Sequence, residues 1–191
     1  MRKQYALPPL NKALAIGYIG RLIPEKGVDL LIRAIARFPN MHLIIVGDGP
    51  ERVILTKLSY ALGVATRIQF LGALAHECLP KLLNALDVVV LPSRSTSHWQ
   101  EQFGRALVEA MACGIPVIGS SCGAIPEVIG DAGLIFQEGN LESLCTALKR
   151  VAEDSMLRHS LGLKARKRAM DVFDENVVAR ITLDVYNQLT A

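Results

Sequence analysis

Two carboxylates, Glu101 and Glu109, flank a Phe103-Gly104-Arg105 turn in the stretch EQFGRALVEAMACGIPV. A glycine-containing turn that opens into a helix leaves backbone amides without intrahelical partners, and such amides favour phosphate oxygens. Glu109 falls about a turn and a half into that helix. A carboxylate there can accept hydrogen bonds from hydroxyls. An anion site beside a hydroxyl site points to a ligand that carries both phosphate and sugar.

Glutamates at this spacing can also share one side of a helix and face water. Gly104 interrupts that reading and assigns Glu101 to the preceding loop. Glu109 is flanked by Leu107, Val108, Ala110 and Met111, a setting that buries a carboxylate, and buried carboxylates need partners. A ribose diol would serve, and so would an arginine elsewhere; both stay open.

A second cluster lies in GRLIPEKG. Gly20 ends an apolar run, Arg21 follows it, and Lys26 precedes Gly27. Arginine offers a planar fork to phosphate oxygens and lysine a compact charge. With a helix N-terminus of about half a charge, the pair could neutralise a diphosphate without a metal. On this segment alone the favoured reading is two solvated basic residues in a loop. The chain has no Asp-x-Asp, and magnesium usually needs one or two carboxylates beside the phosphates.

Other segments read more plainly. GDGP at 47–50 lacks a third glycine, and Pro50 removes a donor, so a tight turn is expected. GYIGRL lacks the G-x-G-x-x-G fingerprint, which sets nicotinamide cofactors aside. The polar loop 92–100, PSRSTSHWQ, carries the single tryptophan; loops of that kind at a strand's carboxyl end are often functional. His98 within it is expected to face solvent. Glu127 is expected to serve helix-start electrostatics.

Positioning these residues falls to an alternation of short β-branched runs with helical periods, the mark of a doubly wound, Rossmann-like α/β fold. Strands are expected at 13–19, 42–46, 68–71, 88–91, 116–119 and 134–136. Helices are expected at 27–38, from 50 or 51 to about 63, at 76–85, 104–113 and 141–153, with Asn140 a cap. Beyond 141 the chain reads as helix without further strand. Residues 1–12 resemble a linker, which leaves 13–191 as the domain. Open α/β sheets bind ligands at the carboxyl ends of their strands, where each segment above falls.

The 191 residues are 51% hydrophobic and 20% charged, a globular balance that needs no disulfide or metal staple. A net charge of +3 does not argue for nucleic acid. The basic start contains two prolines and no apolar core, so no signal peptide is read, and no apolar run would span a bilayer. Cys78, Cys113, Cys122 and Cys145 show no metal-ligand spacing, and a cytoplasmic location is expected. The basic run 158–168 reads as a solvated face, with weak attachment to the inner membrane surface as the alternative.

The pieces IGRLIPEKGVDLLIRA, IIVGDGP, FLG, DVVVLPS and EQFGRALVEAMACGIPVIGSSCGAIPEVI, in this order, resemble the C-terminal half of a family 4 glycosyltransferase of the GT-B type. The resemblance spans roughly 16–136. It implies a donor domain for a UDP-, GDP- or ADP-sugar, with no cofactor and no metal, in retaining transfer. Gly20, Arg21, Lys26, Phe103, Gly104, Arg105 and Glu109 would bind the donor, Glu109 through the ribose hydroxyls. Glu101 would contact the transferred sugar, and the base would lie along 68–74. The catalytic set implied is Arg21, Lys26 and Glu101, with no covalent nucleophile assigned. The family's N-terminal acceptor domain is missing, so donor binding without efficient transfer is expected, with an open apolar face over 175–189. A GT-B epimerase or a non-catalytic nucleotide-sugar module are the alternatives.

Overall fold

The computed structural model describes residues 2–5, 7–9 and 12–190, the last by its backbone. Its strands are β1 (Leu14–Ile19), β2 (Met41–Val46), β3 (Ile68–Gly72), β4 (Val88–Leu91), β5 (Val117–Ser120) and β6 (Leu134–Phe136). They form one parallel sheet in the order β3-β2-β1-β4-β5-β6. The expected strands are all present, with ends moved by a residue or so. The inner strands β2, β1, β4 and β5 are buried nearly throughout, and the edges β3 and β6 only in part. Continuous apolar runs are stable as strands only when both faces of the sheet are covered.

Helices supply that cover. They are α1 (Val28–Ala36), α2 (Arg52–Ala61), α3 (Leu79–Leu83), α4 (Arg105–Ala112), α5 (Ile125–Ile129), α6 (Leu141–Glu153), α7 (Ser155–Val172) and α8 (Glu175–Thr190). α1 packs with α2 and α6, and α4 packs with α3, α5 and α7. Asn140 caps α6 by accepting from the Ser143 amide at 3.0 Å. The helix expected at 76–85 is instead a 3-10 turn at His76–Cys78 followed by the short α3. Pro80 stands in the first turn of α3, where its missing donor is tolerated, and so sets the start.

Of the segment read as linker, positions 1, 6, 10 and 11 lie outside the described residues. Within it Arg2 donates to Asp87 Oδ2 at 3.0 Å, and Leu7 is buried. At the other end α8 buries none of its described side chains; Val178, Ile181, Val185 and Leu189 form an exposed apolar stripe. Strand order reverses between β1 and β4. That switch point opens a crevice beyond their carboxyl ends, the usual ligand position in such sheets.

Candidate functional site

The chain leaves β1 through Gly20 and Arg21. Tyr18, buried at the end of β1, donates its hydroxyl to the Arg21 carbonyl at 2.8 Å. Burial, and then the charge of Glu101, push the Tyr18 phenol above its ordinary pKa, so it stays a donor. The Arg21 side chain is exposed and bonds no other described side chain. After a 3-10 turn at Pro24–Lys26, Gly27 adopts a φ of 64° and starts α1 without a side-chain cap. A Cβ on Gly27 would lie 2.1 Å from the Pro92 carbonyl oxygen. Only glycine lets this loop lie across the end of β4.

Lys26 is thereby delivered to Glu101. Its Nζ donates to Glu101 Oε2 at 2.5 Å and stands 5.1 Å from the centre of the Trp99 ring. Glu101 is 8% exposed. Ser93 Oγ donates to the same oxygen at 2.9 Å, and Ser120 Oγ donates to the Ser93 carbonyl at 2.5 Å. The Glu101 backbone is fixed as well, its carbonyl accepting from the Ala124 amide at 2.8 Å. Beside it, burial raises the pKa of the Cys122 thiol.

Helix α4 begins at Gly104, whose φ of 79° breaks the chain away from the loop, and no side chain caps it. Its first amides therefore point outward without a protein side-chain partner. Arg105 is exposed, its Nε 3.5 Å from Glu109 Oε1. Glu109 is mostly buried, with its side chain 19% exposed and His76 Nδ1 3.9 Å away. Both side chains stand too far for good hydrogen bonds, so the carboxylate is loosely engaged. Phe103 turns away and packs edge-on against Phe173, 5.6 Å between centroids, and Arg168 covers Phe173 in turn.

All the sequence-predicted site residues except Phe103 therefore line one cleft of about 290 Å³ at the switch point: Gly20, Arg21, Lys26, Glu101, Gly104, Arg105 and Glu109. Two further cavities share its walls. One of about 370 Å³ adjoins through Ile19, Gly20, Arg21 and Leu79, and is otherwise lined mainly by apolar residues and backbone, including Val46, Ala73 and Leu74. The other, about 790 Å³, adjoins through Glu101 and is bounded by polar groups from His98 to Gln102 and by Glu127. An apolar slot, an ionic cleft and a polar chamber stand in sequence.

His98 is exposed, as expected, and Glu127 is exposed in the first turn of α5. GDGP leads into α2 through the expected turn, the Gly49 carbonyl accepting from the Arg52 amide at 3.1 Å. The polar loop after β4 is more ordered than its composition suggested. Arg94 bonds the Pro24 carbonyl and Asp29, Ser95 bonds Glu138, and Thr96 bridges Trp99. The basic run on α7 keeps an exposed face while bonding within the chain: Lys164 with Asp131, Lys167 with Asp171, and Arg158, Arg166 and Arg168 with backbone carbonyls. Among the described residues no helix is long and apolar enough to cross a membrane. Ser93, Ser120 and the Trp99–Lys26 contact were not foreseen; the available signal was a serine directly after, or at the end of, a buried strand.

A doubly wound sheet with a cleft at its switch point and helices at its end is the architecture of one half of a GT-B fold. The chain belongs to the family described as glycosyl transferases group 1, whose sequence model matches residues 4–168. It is 35% identical over 174 residues to an uncharacterized glycosyltransferase of Methanocaldococcus jannaschii, covering 88% of this chain and 43% of the relative. It is 31% identical over 179 residues to a GDP-mannose-dependent phosphatidylinositol monomannoside mannosyltransferase of Mycolicibacterium smegmatis, covering 90% of this chain and 46% of that one. The solved structure of Anabaena HepE in complex with UDP-glucose superposes with a TM-score of 0.83 at 29% identity, over 99% of this chain and 51% of HepE. The chain thus spans about half the length of the relatives it matches.

Proposed function

We propose that this chain is the donor-binding half of a family 4, retaining, metal-independent glycosyltransferase that uses a nucleoside-diphosphate sugar. One observation carries the reading: three adjoining cavities follow the order of such a ligand's parts. The apolar slot beside Ala73 and Leu74 suits a base and the ionic cleft a ribosyl diphosphate. The polar chamber beyond Glu101 suits the transferred sugar. Arg21, Lys26 and the uncapped start of α4 face the diphosphate, and Glu109 accepts from the ribose hydroxyls. Charge builds on the diphosphate as the sugar departs, and preorganised cations stabilise it more as it grows. The same groups would bind the donor and lower the barrier.

The names of the relatives support this class of donor, GDP-mannose in one and UDP-glucose in another. The half-length match and the open stripe on α8 support the view that an acceptor-binding half is needed for efficient transfer.

Calorimetry with UDP, GDP and ADP and their sugars tests the proposal. One nucleotide series is expected to bind, and Arg21→Ala and Glu109→Ala are each expected to weaken it by about 1.5–3 kcal/mol, as for hydrogen bonds to charged groups. Failure of all three series to bind would overturn it. Unchanged affinity in a folded Glu109→Ala protein would remove ribose recognition.

A further inference from the structure

Glu101 is held by one oxygen only. Lys26 Nζ and Ser93 Oγ both bond Oε2. Oε1 has no hydrogen-bond partner among the described residues, yet no partnerless side-chain oxygen there is sealed from solvent. Glu101 lines both the ionic cleft and the polar chamber, so Oε1 is the oxygen left open to them.

The two partners of Oε2 differ in permanence. Lys26 lines the same cleft as Arg21, and a diphosphate placed there competes for its ammonium. Ser93 is fully buried, directly after β4, and its backbone is fastened by Ser120. Among the described residues its hydroxyl bonds no side chain except Glu101. An alanine would fill the same space nearly as well, so the hydroxyl is not there for packing. Once Lys26 turns to phosphate, the Ser93 hydroxyl is what still orients the carboxylate.

We infer that Ser93 is a positioning residue: it keeps Oε2 turned into the protein so that Oε1 accepts from a hydroxyl of the transferred sugar. This rests on the proposed donor reading and adds to it a residue that touches neither nucleotide nor sugar.

The test compares a sugar-bearing ligand with its bare diphosphate, UDP-glucose against UDP, GDP-mannose against GDP and ADP-glucose against ADP, by calorimetry on the full chain. In whichever pair the wild type binds, Ser93→Ala is expected to lower the affinity ratio of the sugar form to the bare diphosphate about tenfold, roughly the worth of one hydrogen bond to a charged group. Affinity for the bare diphosphate should stay within about twofold of wild type. If the alanine variant does not fold, Ser93→Cys, with a much weaker donor, is read in the same way. An unchanged ratio, or equal losses for both ligands, overturns the positioning role while leaving the donor reading intact. A wild type that binds none of the three pairs fails the donor reading first, and this inference falls with it.

Discussion

Lys26 and Arg21 carry the same charge but stand in different electrical circumstances. Lys26 is paired with Glu101 at 2.5 Å, whereas Arg21 has no side-chain partner among the described residues. On the proposed donor reading, the first attraction for a diphosphate therefore comes mainly from Arg21 and the start of α4. Lys26 adds its full charge only when Glu101 releases it. Replacing Glu101 by glutamine removes both the competitor and a negative charge beside the phosphates. Glu101→Gln is expected to bind the bare diphosphate about three- to tenfold tighter, as a nearby unit charge in a partly screened site would suggest. The sugar-bearing ligand should lose that gain. Calorimetry with both ligands reads the outcome, and a weaker bare diphosphate would contradict the assignment of Lys26.

At the scale of elements the site is a meeting of loop ends. The loop after β1 rests on the end of β4 through Gly27, the loop after β4 is tied back to it by Arg94, and the turn before α4 leans on α7 through Phe103 and Phe173. Gly27 is where this arrangement is least tolerant. A methyl group there meets the Pro92 carbonyl oxygen, and the left-handed φ adds strain of its own. Gly27→Ala is expected to cost at least about 2 kcal/mol in stability. It should also weaken nucleotide binding by displacing Lys26. Urea unfolding and a titration with the bound nucleotide measure both, and a variant of wild-type stability would show that the loop can move aside.

For the whole molecule, titration gives a probe of folding that stands apart from the ligand. His42 lies on β2, far in sequence from the site residues. Burial, and then the charges of Arg67 and Arg2, hold its pKa below the ordinary imidazole value. The folded protein thus disfavours the protonated form. The stability gained from a neutral His42 is present above about pH 6.5, the unfolded value. It is lost as pH falls from there through the lower folded value. Stability measured by urea between about pH 7.5 and 5.5 should fall with acid, and His42→Gln should flatten that slope. An equal slope in the variant would place the sensitivity elsewhere.

The sequence alone determined the sheet, because runs buried on both faces must be apolar throughout and helices between them must carry a single apolar stripe. It also placed Arg21, Lys26 and Glu101 in loops that follow strands and Glu109 on the helix after Gly104, while solvated or ion-paired uses for them stayed open. Helix starts near Pro80 and Gly104 were legible only to within a turn, because a proline or glycine marks a boundary without saying on which side the helix lies. What only tertiary structure decided were side-chain contacts: Ser93 on Glu101 within one loop and, between segments further apart in the chain, Ser120 on Ser93, Lys26 against Trp99, and Phe103 on Phe173. Spacing along a chain reports which residues share an element. Partners separated by seventy or so residues meet only because the strand order reverses at β1 and β4, and that reversal is a property of the packed sheet.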